Sequence, residues 1–352
     1  MQNLKFDKFS KINIDDPFFD SLKHDYPAFT DWFKSKVDQE ASAYVIRDKG
    51  IKGFVYLKIE DGIVDDVHPP LPNKKHLKVG TLKIVGHGTK LGQRFIKKIF
   101  DNAIAEGADD IYVTVYAKHE YLIQLLTTYG FKEHGRKAGA HGDELVFVKD
   151  FLAWHGNPLE NYPLIDRAEG KAFLLAIYPE LHTQFLPDSK LFGESYDVVQ
   201  DVSHTNSIHK TYISGISATG KLKTGDLLVM YRTTDKKGKA KYRSVATSVG
   251  VVEEIRKISS FNTEKQFLDY VSPYSVYTIE ELRIRYATKK RHIVIKFTYN
   301  IALSKRLIRN LLIEDVGISK LRRWDFLPLT QQQLNKIIDF GKVNERYFID
   351  QT

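Results

Sequence analysis

Apolar and polar residues alternate along LKFDKFSKINI, which predicts a first strand. DPFFDSLKHDYPAFTDWFKSKV then carries aromatics at helical spacing, and Pro27 divides it into two short helices. AYVIRDKGIKGFVYLKIEDG predicts a hairpin that turns at Lys-Gly. VDDVHPPLPNKKH holds three prolines and predicts a loop, after which HLKVGTLKIV predicts a longer strand. From about Gly88 to Ala105, Leu91, Phe95, Ile99 and Ala103 recur every fourth residue, one face of a helix. DDIYVTVYA is nearly continuous in apolar character, the pattern of a strand buried on both faces. HEYLIQLLTTYGF predicts a second amphipathic helix stopped by Gly130, and ELVFVKDF a closing strand.

Beyond residue 150 the pattern changes. Residues 151–200 hold four prolines and little alternation, and predict a packed connector with one short helix around Glu169–Ile177. Short strands follow at TYISGI, DLLVMYRT, YRSVATSVGVVEEIRKI and HIVIKFTYN, with helical pieces at EKQFLDYV, TIEELRIRYA and LTQQQLNKIIDF. A small barrel with peripheral helices fits this mixture. The expected organisation is an α/β domain over 1–150, the connector, and an α+β domain over 201–352.

A chain of 352 residues favours two cores over one. No apolar run approaches the roughly 18 residues of a membrane span, and the N-terminus lacks a signal-peptide pattern. Zero cysteines exclude disulfides, thiolate zinc sites and thiol nucleophiles, and no metal is expected. These features together predict a cytoplasmic protein. The net charge of +9 is uneven: residues 1–150 carry 23 Lys and Arg against 22 Asp and Glu, the remainder 30 against 22. A neutral front and a basic back point to a polyanionic partner for the second half, or to a solvated basic face.

The stretch KIVGHGTKLGQRF joins a strand to a helix through a glycine-flanked turn. A helix N-terminus has unpaired N–H donors and the positive end of a dipole, which together hold anions. With the element order and LLTTYGF, this turn resembles the GCN5-related N-acetyltransferase family, in which an Arg/Gln-x-x-Gly-x-Gly/Ala turn holds the pyrophosphate of acetyl-CoA. Matched residue by residue, His87 falls at the Arg/Gln position, Gly88 and Thr89 at free positions and Lys90 at the usual glycine. Leu91 takes the next free place and Gly92 the final small position. The resemblance implies a mixed central sheet with flanking helices and acetyl-CoA as co-substrate. It further implies main-chain contacts to the pantetheine arm near Ile84 and Val85.

In HEYLIQLLTTYGF the family often has a leading Asn near the pantetheine and a Tyr, five residues before a Gly-Phe end, that protonates the CoA thiolate. Here His119 stands at the Asn position and Leu126 at the Tyr position. Leucine carries no proton to give. Another tyrosine would have to serve (Tyr121, Tyr129 or Tyr116), or the thiolate leaves through water, or the domain binds without catalysis. Glu60, at the end of a strand, and Asp65 and Asp66 beyond it are the candidates for the base that deprotonates an acceptor amine.

IHKTYISGI, KTGDLLVMYRT and SVATSVGVVEEI resemble the PUA-like superfamily, nearest its EVE and ASCH members, over roughly residues 200–330. That resemblance implies a small barrel that binds RNA or takes a modified base into a pocket. The residues it implicates are His209, Lys210, Tyr212, Ser214 and Arg232. The loop Lys236, Lys237, Lys239 and Lys241 adds concentrated positive charge suited to phosphates, as do Lys289–His292 and Lys320–Trp324. The expectation is an acetyl-CoA-dependent N-acetyltransferase joined to an RNA-binding or modified-base-binding domain. The alternative is a non-catalytic acetyltransferase fold that serves as scaffold for such a reader.

Overall fold

The computed structural model describes residues 3–85, 91–151, 153–154, 157–168, 170–186, 207–288 and 292–349. The chain divides into two compact units, Met1–Asn161 and Tyr162–Thr352.

The first unit runs β1 (Asn3–Lys8), α1 (Asp20–Asp25), α2 (Phe29–Asp38), β2 (Ser42–Arg47), β3 (Ile51–Val64), β4 (Leu71–Ile84) and α3 (Leu91–Glu106). It continues with β5 (Asp110–Val115), α4 (Glu120–Thr128), β6 (Lys132–Lys137), β7 (Glu144–Asp150) and α5 (Pro158–Asn161). The seven strands form one sheet in the order β1-β2-β3-β4-β5-β7-β6, antiparallel except where β4 meets β5. Successive residues of β3 show how the two faces are covered, because side chains alternate across a sheet. Phe54 packs its ring against Phe9 and Phe19, in an aromatic cluster supplied by α2 and the segment before α1. Gly53 faces the other way and admits α3 closely: a Cβ there would stand 2.3 Å from the Phe95 ring.

All four residues of the predicted α3 stripe are buried. α4 ends as expected at Gly130, whose φ of 82° suits the left-handed position. Phe131 N–H donates to Leu126 O and Gly130 N–H to Thr127 O, the paired bonds of a Schellman ending. Two expectations change in this unit. β4 begins at Leu71 and takes in Pro72, so the proline-rich stretch is a loop only as far as Pro70. KEHGRK, which lacks any strand pattern, is β6; it is the last strand of the sheet, where polar residues are tolerated, and His68 bridges its outer side by exchanging main-chain hydrogen bonds with Arg136.

The second unit comprises β8 (Ile165–Asp166), β9 (Ala172–Ile177), α6 (Pro179–Phe185), β10 (His209–Ser214), β11 (Leu227–Arg232), α7 (Ala240–Arg243), β12 (Val245–Lys257) and α8 (Glu264–Val271). Then come α9 (Ile279–Thr288), β13 (Ile293–Ile308), α10 (Arg309–Glu314), β14 (Phe326–Leu329), α11 (Gln331–Phe340) and β15 (Phe348–Ile349). Six strands pair in the order β10-β13-β12-β11-β9-β14, with β9 and β11 parallel; β8 and β15 form a separate two-stranded pair. The long strands β12 and β13 are paired with three register shifts, and such bulges bend and coil a sheet. One apolar cluster centres on Leu174, Val229, Leu303 and Ile337, another on Leu175, Met230, Ile295 and Phe297.

AFLLAI, expected as a helix around Glu169–Ile177, is β9 instead; Glu169 lies outside the described residues. The run is too short and too uniformly apolar for periodicity to separate the two states. Pairing with β11 on one side and β14 on the other decides it. Residues 162–186, assigned by sequence to the connector, contribute β8, β9 and α6 to this second unit.

Candidate active site

In the first unit the site begins with a defect in β4. Its ladder to β3 places Thr81 opposite Tyr56 and Val79 opposite Leu57, so Gly80 is an extra residue, a bulge. A Cβ at Gly80 would lie 2.9 Å from the Tyr56 ring, which keeps the position small. On its other side β4 pairs with β5 only from His76 to Val79, opposite Asp110 to Val113. The bulge and the end of this pairing coincide. Past them β4 continues to Ile84 bonded to β3 alone, with no strand on its second edge among the described residues.

Val85 N–H donates to Lys52 O at 2.8 Å, so its amide is used on the β3 side. An antiparallel ladder alternates the direction of its main-chain groups, which turns those of Leu82 and Ile84 to the open edge. A cavity of about 670 Å³ lies along that edge, lined by residues 78–84 of β4, 113–115 of β5 and the start of α4, and by α1 and α2. An exposed row of main-chain donors and acceptors beside a cavity can pair with the amides of an extended ligand.

Ionisable groups gather in the lining of this cavity. Tyr26 Oη donates to Glu144 Oε1 at 2.7 Å, and both line the cavity. Burial, reinforced by Glu144, pushes the Tyr26 phenol well above its ordinary range. Asp25 accepts from Lys118 Nζ at 2.7 Å and faces His119, with Oδ2 3.6 Å from Nε2. Burial alone would raise the Asp25 carboxyl, but Lys118 and His119 outweigh it and hold it below the usual value. Burial and the neighbouring Lys118 charge lower the His119 imidazole. Lys83 Nζ donates to Ser21 Oγ at 2.6 Å and to Phe18 O.

The sequence-derived positions fall unevenly around this cavity. Ile84, His119 and Tyr121 line it, and Tyr121 is 47% exposed. Leu91 is buried in the core, and Gly92 is pressed against α4, where a Cβ would stand 2.7 Å from Leu125. His87, Gly88, Thr89 and Lys90 lie outside the described residues. Glu60 sits on β3 among Tyr112, Lys58 and Lys78, away from the cavity lining. Burial would raise its pKa, but the hydrogen bonds from Tyr112 and Lys58 and the Lys78 charge hold the carboxyl below its ordinary value. Asp65 is exposed, and Asp66 pairs with Lys137. Tyr129 is buried at the end of α4, and Tyr116 is buried with its ring 5.4 Å from Tyr26. Leu126 is fully buried.

Sequence reasoning missed Asp25, Tyr26 and Glu144. They come from the end of α1 and the start of β7, and only folding joins them; the sole local signal is HDY standing polar within an aromatic-rich helical stretch.

The second unit has a different polar centre. Glu253 is the extra residue of a β12 bulge, and its carboxylate meets His209 Nδ1 of β10 at 2.6 Å and Lys296 Nζ of β13 at 3.1 Å. The Tyr274 ring lies 5.0 Å from that of His209. Lys210, Tyr212 and Ser214 point to the opposite face of β10 and are buried there. Lys210 lies over the Phe185 and Tyr299 rings, Tyr212 lies beside Phe185, and Ser214 Oγ accepts from Ile216 N–H. Arg232 is buried at the end of β11. Lys236, Lys237, Lys239 and Lys241 are exposed around α7, as are Lys320, Arg322 and Arg323; Lys289–Arg291 lie outside the described residues. The sheet thus separates His209 on β10 from Arg232 and the lysine loop, which belong to β11 three places away.

Among solved structures, this chain is similar to the NatC complex bound to Gag peptide and CoA (15% identity, 42% of this chain and 97% of that one, TM-score 0.30). It is also similar to Arabidopsis thaliana NAA60 in complex with a bisubstrate analogue (20%, 42% and 97%, TM-score 0.30). The ASCH protein from Zymomonas mobilis matches at 9% identity over 49% of this chain and 96% of that one, with a TM-score of 0.33. The architecture is a GCN5-related N-acetyltransferase fold followed by an ASCH-type, PUA-like fold. The splayed β4–β5 pair is the departure that the acetyltransferase resemblance implies for this strand; the partial likenesses add no argument of their own. No protein-family profile matches the sequence, and no curated protein does. Among the described residues, no helix is long and apolar enough to cross a membrane, and no cluster of His, Asp and Glu is arranged to hold a metal.

Proposed function

We propose that the first unit is an acetyl-CoA-dependent N-acetyltransferase and that the second binds nucleic acid. The observation that carries the first part is the open β4 edge at Leu82 and Ile84 beside a cavity of about 670 Å³. A pantetheine arm has the amides to pair with such an edge, and the ionisable groups that line the cavity suit proton transfer. The GHGTKLG turn would take the pyrophosphate. The uneven charge and the exposed lysines around α7 support the second part, and RNA is the partner the ASCH-type fold favours.

Leu126 favours a second reading, in which the cleft binds acetyl-CoA without turnover and the chain acts as a sensor or scaffold. Calorimetry with acetyl-CoA, followed by assay of thiol release, separates the readings. Saturable binding with turnover is expected; binding without turnover supports the sensor, and absence of binding removes both.

A further inference from the structure

We propose that His119 is the proton carrier of acetyl transfer, accepting a proton from the acceptor amine and delivering it to the departing thiolate, with Asp25 positioning its ring. This rests on the reading of the cleft as the acetyl-CoA site.

His119 is anchored where the chemistry needs it. It is the residue before α4, four positions beyond the end of β5, and it lines the cavity into which the β4–β5 splay opens. Its N–H donates to Tyr116 O at 3.0 Å, and its carbonyl accepts from Leu122 and Ile123 N–H. The backbone is therefore held while the ring stays half-exposed. Asp25 Oδ2 lies 3.6 Å from Nε2. That is longer than a hydrogen bond, as catalytic pairs often are before a ligand closes the site. An ionised carboxylate beside Nε2 favours the tautomer with its proton there, leaving Nδ1 as the accepting nitrogen. Nδ1 has no hydrogen-bond partner among the described residues.

The charges around the ring set its protonation. From α1 come His24 and Asp25, from the connection between β5 and α4 Lys118, from β7 Glu144, and from β4 Lys83. Burial and Lys118, with Lys83, lower the imidazole pKa, against the pull of Asp25 and Glu144. The ring is thus neutral near pH 7 and ready to accept.

Atoms balance with one group acting twice. The neutral amine attacks the thioester carbonyl carbon, a C–N bond forms, and Nδ1 takes the amine proton. The C–S bond then breaks, and the imidazolium returns that proton to sulfur, giving amide, CoA thiol and the starting enzyme. No second acid is required. This answers the loss of the usual tyrosine, since Leu126 is buried and protonless.

The informative variant is His119→Asn. Asn is a better residue ahead of a helix than His, so a purely structural role predicts unchanged activity. Thiol release from acetyl-CoA with methylamine as acceptor is the readout, beside calorimetric affinity for acetyl-CoA. We expect His119→Asn to retain affinity within about twofold and to lose roughly 10²–10⁴-fold in turnover. Added imidazole should restore part of the rate to His119→Ala. The wild-type acid limb should lie below the ordinary histidine pKa of 6.5 and move lower still in Asp25→Asn, which removes a charge favouring imidazolium. Two results overturn the proposal alone: His119→Asn active within threefold, or an acid limb unmoved in Asp25→Asn. No thiol release by a wild type that binds acetyl-CoA overturns the proposal together with the transferase reading. Failure of the wild type to bind acetyl-CoA overturns the reading of the cleft and the proposal with it.

Discussion

Glu253 reaches His209 at 2.6 Å across an intervening strand because the β12–β13 ladder carries its extra residue at Glu253. The side chains are only 9% and 5% exposed, and Lys296 contacts the second carboxylate oxygen at 3.1 Å. Removing the carboxylate leaves buried His209 and part-buried Lys296 without their shared acceptor, so Glu253→Ala should cost about 3–5 kcal/mol. Burial acts to raise the Glu253 pKa, but His209 and Lys296 outweigh it and hold the carboxyl below 4.5. A depressed carboxylate contributes stability above its unfolded value and loses it as pH falls through the folded one. Hydrogen exchange of β10, β12 and β13 amides should therefore accelerate in the wild type as pH drops below about 4.5 once corrected for intrinsic rates. In Glu253→Gln that acid sensitivity should be reduced.

Gly92 separates a packing role from a ligand role. A Cβ there would stand 2.7 Å from the Leu125 side chain, so Gly92→Ala should destabilise the first unit by about 1–3 kcal/mol through overpacking. Leu125→Ala in the same chain should recover much of that loss, a coupling that a double-mutant cycle reads directly. Independent losses from the two changes would assign the glycine to something other than this contact.

Lys149 makes a prediction of the same sign in a higher pH window. It is 1% exposed on β7, donating to Glu160 O and lying 5.8 Å from the Phe100 ring centroid. Burial lowers its pKa from 10.5 to about 7. Between those values the unfolded chain binds more protons than the folded one, so stability rises with pH, by at most about 1.4 kcal/mol per pH unit. Denaturant unfolding of the first unit should show this rise from pH 7 towards 10, and Lys149→Met should flatten it. A wild-type stability that is level or falling over this range would contradict the account.

These residues also mark where the sequence was readable. The α3 stripe, the apolar β5 and the Gly130 stop could be read because periodicity and glycine conformation are local properties. β6 could not, since an edge strand need not alternate, and AFLLAI could not, since its state is fixed by strands contributed from far along the chain. The same limit governs chemistry. His119 was visible as a departure from a family pattern, but its partner Asp25 lies 94 positions earlier and meets it only in the fold. Glu60 was a reasonable choice from its place at a strand, yet Tyr112 and two lysines occupy its carboxylate.

The central claim is that acetyl-CoA lies along the open edge of β4. Amide resonances of the ¹⁵N-labelled full chain, followed as acetyl-CoA is added, test it most directly. The account predicts saturable shifts at Leu82 and Ile84, whose main-chain groups face the cleft, with smaller changes at Lys83 and Val85, which bond to β3. Saturable binding that leaves Leu82 and Ile84 unmoved, or no binding at all, would contradict it.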